Sequence, residues 1–323
     1  MDIKDLIQPI QSELETFEDH FRLAMRSKVA FVDIIARYII KQKGKRIRPA
    51  LVLLSAKACG EVNDSTYRGA SLVEILHTAT LIHDDVVDEA NTRRGFPSIN
   101  ALWKNKIAVL MGDYLLAKGL LLSLDNNDFQ FLKTTSESVR RMSEAEILQI
   151  KKSRDLDIDE ATYFRIISGK TASLFATCCE VGAASVTENS DIRRQMNKYG
   201  EVLGMIFQIR DDLLDFTGRR SITGKPTGLD MKEKKLTLPL IHSLSKAPSG
   251  QRREIIKIIK NGARKKDLMK VIDFTHEYGG IDYTVKKANE YSQQAQEVLQ
   301  PLPPTPSKET LLHFIDFVME RKK

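Results

Sequence analysis

A long interval without proline is the feature that most restricts the fold of this chain. None of its ten prolines lies between Pro97 and Pro226. Proline fixes φ and lacks the backbone donor that a helix interior needs, so this interval, rich in Leu, Ala, Lys and Glu, predicts successive helices. Apolar residues recur at spacings of three and four in stretches such as YGEVLGMIFQIRDDLLDF, and alternating strand patterns are nearly absent. The sequence therefore predicts an all-α fold.

Capping residues mark the ends of individual helices. Asp64 and Ser65 precede a helical run that reaches Glu89, and Asn189 precedes another that ends near Gly218. The segment PLPPTP forms a stiff connector before the last helix. No change in composition marks a boundary, so we expect a single domain over residues 1–323, built from ten or more helices.

The overall charge indicates which partners suit the chain. The formal net charge is +7 and the sequence pI is about 9.1, which favours nucleic acid, a membrane surface or phosphorylated small molecules. The three cysteines are too few for a disulfide framework or a zinc site. The N-terminal stretch lacks the pattern of a secretory signal, and no apolar run approaches the roughly 20 residues of a membrane span. We therefore expect a cytoplasmic protein.

Two acidic triplets share one spacing. The stretch LIHDDVVDEANTRRG and the later stretch DDLLD each contain three aspartates inside apolar sequence. Each residue advances about 100° around a helix, so the three acids of either triplet fall within one narrow arc at a helix end. The six residues are Asp84, Asp85, Asp88, Asp211, Asp212 and Asp215.

Clustered carboxylates in partly buried positions need a counter-charge. Like charges at this spacing destabilise a helix, and Mg²⁺ is suited to bind a few carboxylates together with water and phosphate oxygens. A single triplet could be a solvated helix end, but two with the same spacing favour metal binding. Six aspartates formally balance three Mg²⁺ ions, which is the number we expect in the site.

Basic residues lie in the loops and helix ends around both triplets. Two bound diphosphates would add roughly six negative charges beyond what the metals neutralise. Arginine suits such groups because its fork contacts two phosphate oxygens. The cations available for this purpose are Lys45, Arg48, Arg93, Arg94, Lys170, Lys225 and Lys235.

Taken together, these motifs resemble those of the trans-isoprenyl diphosphate synthases, and among them the long-chain octaprenyl and heptaprenyl type. The resemblance runs from GKRIRP to the final helix, so it covers nearly the whole chain. It implies an all-α isoprenoid synthase fold with a deep central cavity, the triplets facing each other across its mouth. It also implies a homodimer. The motifs are GKRIRP, HTATLIHDDVVDEANTRRG, GKTASLF, FQIRDDLLDF and GKPTGLDMKEKKLTLPL.

The resemblance also implies roles for individual residues. The six aspartates would hold Mg²⁺, and Asp84, Asp85, Asp88, Lys170, Asp211 and Lys225 would be catalytic. Isopentenyl diphosphate would be bound by Lys45, Arg48, His77 and Arg94. The allylic diphosphate, for example farnesyl diphosphate, would be bound by Arg93, Lys170, Thr171, Gln208, Lys225 and Lys235. Two mild departures from the family pattern are Ala145 and Lys43, where glycine is usual.

The expected reaction lengthens a prenyl chain by five carbons in each cycle. The allylic diphosphate ionises with help from metals and cations, and the double bond of isopentenyl diphosphate attacks the resulting cation. Small residues at the expected chain-length floor, Ala79 and Thr80, favour a product of about seven to ten isoprene units, suited to a quinone side chain. Transient membrane contact would accompany its release.

Other functions remain possible from the sequence. A short-chain synthase and a subunit of a hetero-oligomeric synthase are the alternatives within the family. A terpene cyclase would need only one diphosphate site, whereas the GKRIRP and RRG motifs favour two. Nucleic-acid binding is disfavoured, because the sequence has no stripe of interleaved aromatic and basic residues.

Overall fold

The computed structural model describes residues 3–42, 44–217, 235–262 and 265–321, and within these ranges the chain is almost entirely helical. A 3₁₀ turn at Gln8–Ile10 and a π-helical turn at Ser168–Ala172 complete the helical segments. The helices are α1 (Ile3–Ile7), α2 (Gln11–Met25), α3 (Ala30–Lys41), α4 (Ile47–Cys59), α5 (Asp64–Val87), α6 (Ile99–Leu124), α7 (Phe129–Asp155), α8 (Glu160–Ile167), α9 (Ser173–Ala184), α10 (Ser190–Thr217), α11 (Leu238–Lys246), α12 (Ser249–Lys260), α13 (Lys265–Glu277), α14 (Gly280–Leu299) and α15 (Pro306–Met319).

Helix α9 lies at the centre of the bundle, packed against α4, α5, α7 and α10. Glycine allows the closest of these contacts. A Cβ atom at Gly182 would lie 2.2 Å from the carbonyl oxygen of Val52 on α4, and one at Gly200 would lie 2.4 Å from that of Phe175 on α9. Because these neighbours are backbone atoms, a side chain at either glycine would force the helices apart.

Helix α5 carries the first acidic triplet, and a capping box stabilises its N-terminus. Asn63 caps it by accepting from the backbone N–H of Thr66, whose hydroxyl accepts in turn from the backbone N–H of Asn63. The cap lies one residue before the predicted Asp64. The helix ends at Val87, so it stops two residues earlier than predicted, and Glu89 takes a left-handed conformation with φ 50°.

The expected near-absence of strands has one small exception in the described residues. Thr92–Arg93 (β1) and Phe96–Pro97 (β2) form a two-stranded antiparallel hairpin. Its central residues Arg94 and Gly95 have φ values of 52° and 80°, as a type I′ turn requires. Two arginines that are adjacent in sequence therefore have different backbone settings, Arg93 in the strand and Arg94 in the turn.

The expectation that no apolar run reaches membrane-spanning length is wrong for helix α6. This helix is 26 residues long, has a window of mean hydropathy 1.7, and is alone in meeting that criterion among the described residues. Within its apolar window, 33% of the residues are buried in the bundle. A core helix of a folded domain can have the same length and composition, so the criterion alone does not establish a span.

Candidate active site

The two acids at the end of α5 differ in their surroundings. Asp85 is buried and accepts from Arg93, with Nε and Nη2 at 2.8 and 2.7 Å from Oδ1. Asp84 is half-buried, and burial together with the nearby Glu146 raises its pKa, an effect that Lys170 opposes. Asp88, the third acid, forms the exposed C-cap. The triplet therefore combines one carboxylate already paired with arginine and one that lacks sufficient positive charge.

The hairpin directs Arg93 and Arg94 to different partners. Arg93 binds Asp85, as described above, whereas Arg94 donates from Nη1 to the carbonyl oxygen of Gln42 at 3.1 Å. Gly44 makes this position possible, because a Cβ atom there would lie 2.5 Å from Nη1 of Arg94. The glycine of the predicted GKRIRP loop thus provides space for an arginine side chain.

A cationic cavity of about 50 Å³ lies between α2, α3, α5, the loop before α4 and the hairpin. Its lining includes His77, Arg46, Arg93 and Arg94. Burial lowers the pKa of His77 well below 6.5, and the neighbouring charges of Arg48, Arg94 and Arg93 lower it further. The imidazole is therefore neutral near pH 7 and can donate one hydrogen bond and accept one.

A second cavity of about 220 Å³ contains most of the residues predicted to bind the allylic diphosphate. Lys170, Thr171 and Gln208 line it together with Lys235. Lys170 lies in the π-helical turn, donates to Gln149 Oε1 at 3.1 Å and forms an ion pair with Glu146. Since π turns often occur at functional sites, this turn is a feature of the candidate site as well as of the fold.

The second triplet lies at the edge of the same cavity. Asp211 and Asp212 line it, and Asp215 is half-buried one turn further along α10. Asp211 pairs with Arg321, and Asp212 accepts from Tyr163 and Gln208. Lys170 connects the two triplets, because it lines this cavity and its charge also acts on Asp84.

A narrow apolar cavity begins below the first triplet. Its volume is only about 10 Å³, and its lining includes Thr80, Leu76 and Val73 of α5, which follow one another at intervals of three or four residues. His77 lines this cavity as well as the cationic one and so joins them. A space of this size holds at most one water molecule, so a prenyl chain could enter only if the surrounding side chains moved apart.

The hydroxyl groups around the narrow cavity bond within the bundle. Thr80 donates to the carbonyl oxygen of His77, Thr135 to Phe131 and Thr177 to Ser173. Ser138 donates to the hydroxyl of Ser173. Because each hydroxyl already donates to another group of the protein, the threonines can offer their methyl groups to the cavity. The wall of the cavity is therefore effectively apolar.

The donor set agrees with a hard divalent cation. No three acidic, histidine or cysteine side chains among the described residues are close enough to enclose an ion by themselves. Mg²⁺ does not require such an enclosure, because it keeps several waters and takes further oxygens from phosphate. The raised pKa of Asp84, caused by burial and then by Glu146, shows that this acidic group would gain from a cation.

Several predicted residues lie apart from the groups they were assigned to. Arg93, assigned to the allylic diphosphate, lines the cationic cavity instead. Thr80 lines the narrow cavity, whereas Ala79 is fully buried and is not part of its lining. Lys45 is exposed in the loop before α4. Lys225 and Lys43 lie outside the described residues.

The structure accounts for one departure from the family pattern. Ala145 lies inside α7 and is buried. Its Cβ would be 2.7 Å from a Cβ placed at Gly169, in the turn that holds Lys170. The missing side chain at Gly169 leaves space for the methyl group of Ala145. Alanine at this position therefore affects helix packing and not a loop.

Sequence reasoning missed several residues of the candidate site. Tyr163 and Arg321 contact the second triplet, and Glu146 and Gln149 hold Lys170. The spacing of three between Glu146 and Gln149 places them on one helix face and was a usable signal. Tyr163 and Arg321 had no local signal, because their partners are distant in sequence.

Comparison with known proteins identifies the family. The polyprenyl synthetase family matches residues 30–274, which is most of the chain. The chain belongs to the polyprenyl synthetase family. It is 36% identical over 319 residues to an all-trans-nonaprenyl-diphosphate synthase (geranyl-diphosphate specific) of Rhodobacter capsulatus, covering 98% of each chain.

Two solved structures in this polyprenyl synthetase group have the same fold. A decaprenyl diphosphate synthase from Rhodobacter capsulatus superimposes with a TM-score of 0.91 at 34% identity and full coverage of both chains. A polyprenyl synthase from Caulobacter crescentus, complexed with calcium and isoprenyl diphosphate, gives a TM-score of 0.90 at 31% identity, covering 100% of this chain and 98% of the other. The predicted family, the all-α isoprenoid synthase fold and the trans-prenyltransferase class are confirmed.

Proposed function

We propose that the chain adds isopentenyl diphosphate repeatedly to an allylic diphosphate and so makes an all-trans polyprenyl diphosphate of about seven to ten isoprene units for a quinone side chain. The observation that carries this proposal is the pair of cationic cavities beside the two acidic triplets. One contains His77 and Arg94, and the other contains Lys170, Thr171 and Lys235. Two diphosphates need two such cavities, whereas a cyclase needs one.

Mg²⁺ is the proposed cofactor, with three ions in each active site. The residues that would hold it are Asp84, Asp85, Asp88, Asp211, Asp212 and Asp215. When bound, the metal supplies Lewis-acid stabilisation of charge on the departing diphosphate. Asp85 and Asp211 are paired with Arg93 and Arg321 in this structure, so ligand binding would require these pairs to be shared or exchanged.

In the proposed reaction, basic side chains bind and orient the two diphosphates. Lys170 and Lys235 bind the departing group in the larger cavity, with Lys225 as a further candidate. Arg94, Arg48 and Lys45 bind isopentenyl diphosphate, and neutral His77 donates one hydrogen bond to it. The proton lost after condensation goes to the released diphosphate, whose oxygens are able to accept it. The apolar wall below Asp84 excludes water from the reactive cation.

A second copy of the chain is the proposed partner for helix α6. Five large apolar residues on one face of this helix, all after a non-helical residue at Lys104, are between 39% and 56% exposed: Val109, Leu110, Leu120, Leu121 and Leu124. An apolar strip of this length is unusual on an isolated globular domain, and it lies on a helix of which only part is buried in the bundle. Formation of a homodimer would bury it and explain its membrane-like composition.

We propose that the enzyme works in the cytoplasm and makes only transient contact with a membrane as the product leaves. The long prenyl chain favours a bilayer over water by about 0.8 kcal/mol for each CH₂ group. Nucleic acid has no role in this proposal.

The proposed dimer is tested by sedimentation of the wild-type protein and of the Leu110→Glu variant. The wild-type protein should sediment as a dimer and the variant as a monomer.

The proposed activity is tested by one assay with the purified chain alone. Farnesyl or geranyl diphosphate, labelled isopentenyl diphosphate and Mg²⁺ are incubated with the protein, and the dephosphorylated products are separated by length. The proposal expects products of seven to ten units that disappear with excess chelator. Products of three or four units would support the short-chain alternative. An absence of product that a second subunit restores would support the hetero-oligomeric alternative.

A further inference from the structure

Asp212 differs from the other acids of its triplet. It is only 4% exposed, whereas the side chain of Asp211 is 40% exposed. Tyr163 donates from Oη to Oδ2 of Asp212 at 2.7 Å, and Gln208 donates from Nε2 to Oδ1 at 2.7 Å. Both carboxylate oxygens therefore receive a hydrogen bond from a neighbouring side chain, in a buried place where such bonds are strong.

This arrangement determines which way the Gln208 amide faces. Gln208 presents its NH₂ group to the Asp212 carboxyl group, because it donates from Nε2 to Oδ1. Its carbonyl oxygen then faces Thr171 and accepts from the Thr171 hydroxyl at 2.7 Å. The single proton of that hydroxyl is therefore committed to Gln208. Only oxygen lone pairs of Thr171 remain for the cavity that Thr171 and Lys170 line, so in this arrangement Thr171 can accept from a donor or cation that holds the diphosphate but cannot itself donate to a phosphate oxygen.

We propose that Tyr163 is a positioning residue for the prenyl transfer reaction. Its hydroxyl fixes Asp212, and through Gln208 it sets the direction of the hydroxyl proton of Thr171. The proposal rests on the proposed function, because it assigns the larger cavity to the allylic diphosphate. Without the tyrosine hydroxyl, Asp212 can rotate, the Gln208 amide can reverse, and Thr171 loses its fixed orientation.

The location of Tyr163 supports this role. It lies on α8, which continues directly into the π-helical turn that carries Lys170 and Thr171. The tyrosine is 3% exposed and lines the same cavity as Thr171, Gln208 and Asp212. It therefore contacts the site from the helix that precedes the turn, while Asp212 and Gln208 contact it from α10. The chain of hydrogen bonds joins two of the elements that form the cavity.

The test compares two buried tyrosines. Tyr163→Phe removes the hydroxyl that binds Asp212. Tyr199→Phe removes one that donates to the carbonyl oxygen of Leu311 at 2.7 Å in the fully buried core. Both variants lose a buried hydrogen bond and should show a similar drop in melting temperature. Loss of a residue that orients an active-site group typically reduces activity about 10- to 100-fold. We expect that loss in kcat for Tyr163→Phe only, with KM for isopentenyl diphosphate unchanged.

A double-mutant cycle distinguishes positioning from a purely structural role. If Tyr163 acts through Thr171, then Tyr163→Phe should reduce kcat much less in a Thr171→Val background than in the wild-type background. Additive effects, or equal kcat values for Tyr163→Phe and Tyr199→Phe, would overturn the proposal. Wild-type protein without any condensation activity would refute the proposed function instead. In that case the affinity of the same four proteins for inorganic diphosphate would be measured. Additive effects of the two substitutions on this affinity would again reject the positioning role.

Discussion

Arg321 Nη2 lies 2.8 Å from Asp211 Oδ1, although 110 residues separate them in the sequence. The guanidinium also lies over the ring of Phe207, 4.2 Å from its centroid. The segment just after α15 thus brings a cation to the first acid of the second triplet. The Arg321 side chain is 14% exposed, so this pair is less screened by water than most surface ion pairs.

Replacement of Arg321 should change how the protein responds to metal. In the absence of divalent cations, Arg321→Gln should lower the melting temperature, because Asp211 loses its partner; we expect a cost of about 1 kcal/mol, given the exposure of Asp211. With Mg²⁺ and inorganic diphosphate, the rise in melting temperature should exceed that of wild type, because no arginine competes for Asp211. Differential scanning fluorimetry measures both shifts. Arg194→Gln, in an exposed pair with Asp191, is the control, and an equal rise in all three proteins would contradict this role.

Arg93 and Arg94 should affect different substrates. Both arginines line the cationic cavity with His77, but Arg94 donates to the carbonyl oxygen of Gln42 whereas Arg93 is bound to Asp85. Arg94→Gln should raise KM for isopentenyl diphosphate about tenfold or more, the effect of losing one charge-assisted hydrogen bond, and leave the allylic KM nearly unchanged. Arg93→Gln should mainly affect the allylic substrate, because it releases Asp85. Steady-state kinetics with each substrate varied in turn would decide this, and parallel changes in both constants would reject the division.

The predicted chain-length floor can be tested at two adjacent positions. Thr80→Tyr places a ring in the narrow cavity that Thr80 lines, and we expect products of three or four isoprene units with an efficient first condensation. Ala79→Tyr should shorten the product too, but its fully buried site adds an overpacking cost of about 1–3 kcal/mol. Product lengths and melting temperatures should be measured together. Unchanged long products from both variants would show that the chain follows another path.

His77 should make the stability of the protein depend on pH. Burial and the charges of Arg48, Arg94 and Arg93 hold the pKa of His77 well below 6.5. Below pH 6.5 the unfolded chain takes up a proton that the folded chain does not, so stability decreases as pH falls. The contribution approaches about 1.4 kcal/mol per pH unit. Urea unfolding at about pH 7.5 and about pH 5.5 should show a smaller loss for His77→Gln than for wild type.

The exposed His276 provides a control for this measurement. His276→Gln keeps the buried imidazole and should lose as much stability as wild type over the same pH interval. If His77→Gln and His276→Gln had the same pH dependence, the buried histidine would not be the cause. Measuring both variants without substrates avoids any contribution from bound diphosphate.

The sequence was sufficient for the helical fold and for the two triplets, because both depend on local patterns. Proline spacing and helical periodicity predicted α5 to within a few residues, and the spacing of Asp84, Asp85 and Asp88 placed them together at its end. The hairpin at Arg94 and Gly95 was not predicted, because its two left-handed residues follow no strong strand signal. The bonds from Tyr163 to Asp212 and from Arg321 to Asp211 depend on tertiary packing, which a single sequence does not display.

Because Thr80, Thr135 and Thr177 form local hydrogen bonds, the groups that they offer to a growing product are methyl groups. A wall of methyl groups has no feature that repeats with the isoprene unit, so a growing chain that has displaced the surrounding side chains meets no preferred stopping register. The cavity wall then offers no intermediate stopping positions, and only its far end can limit the length of the product. Length would be set by a single steric stop and by the rate at which product escapes. Slower release of the product should therefore lengthen the products.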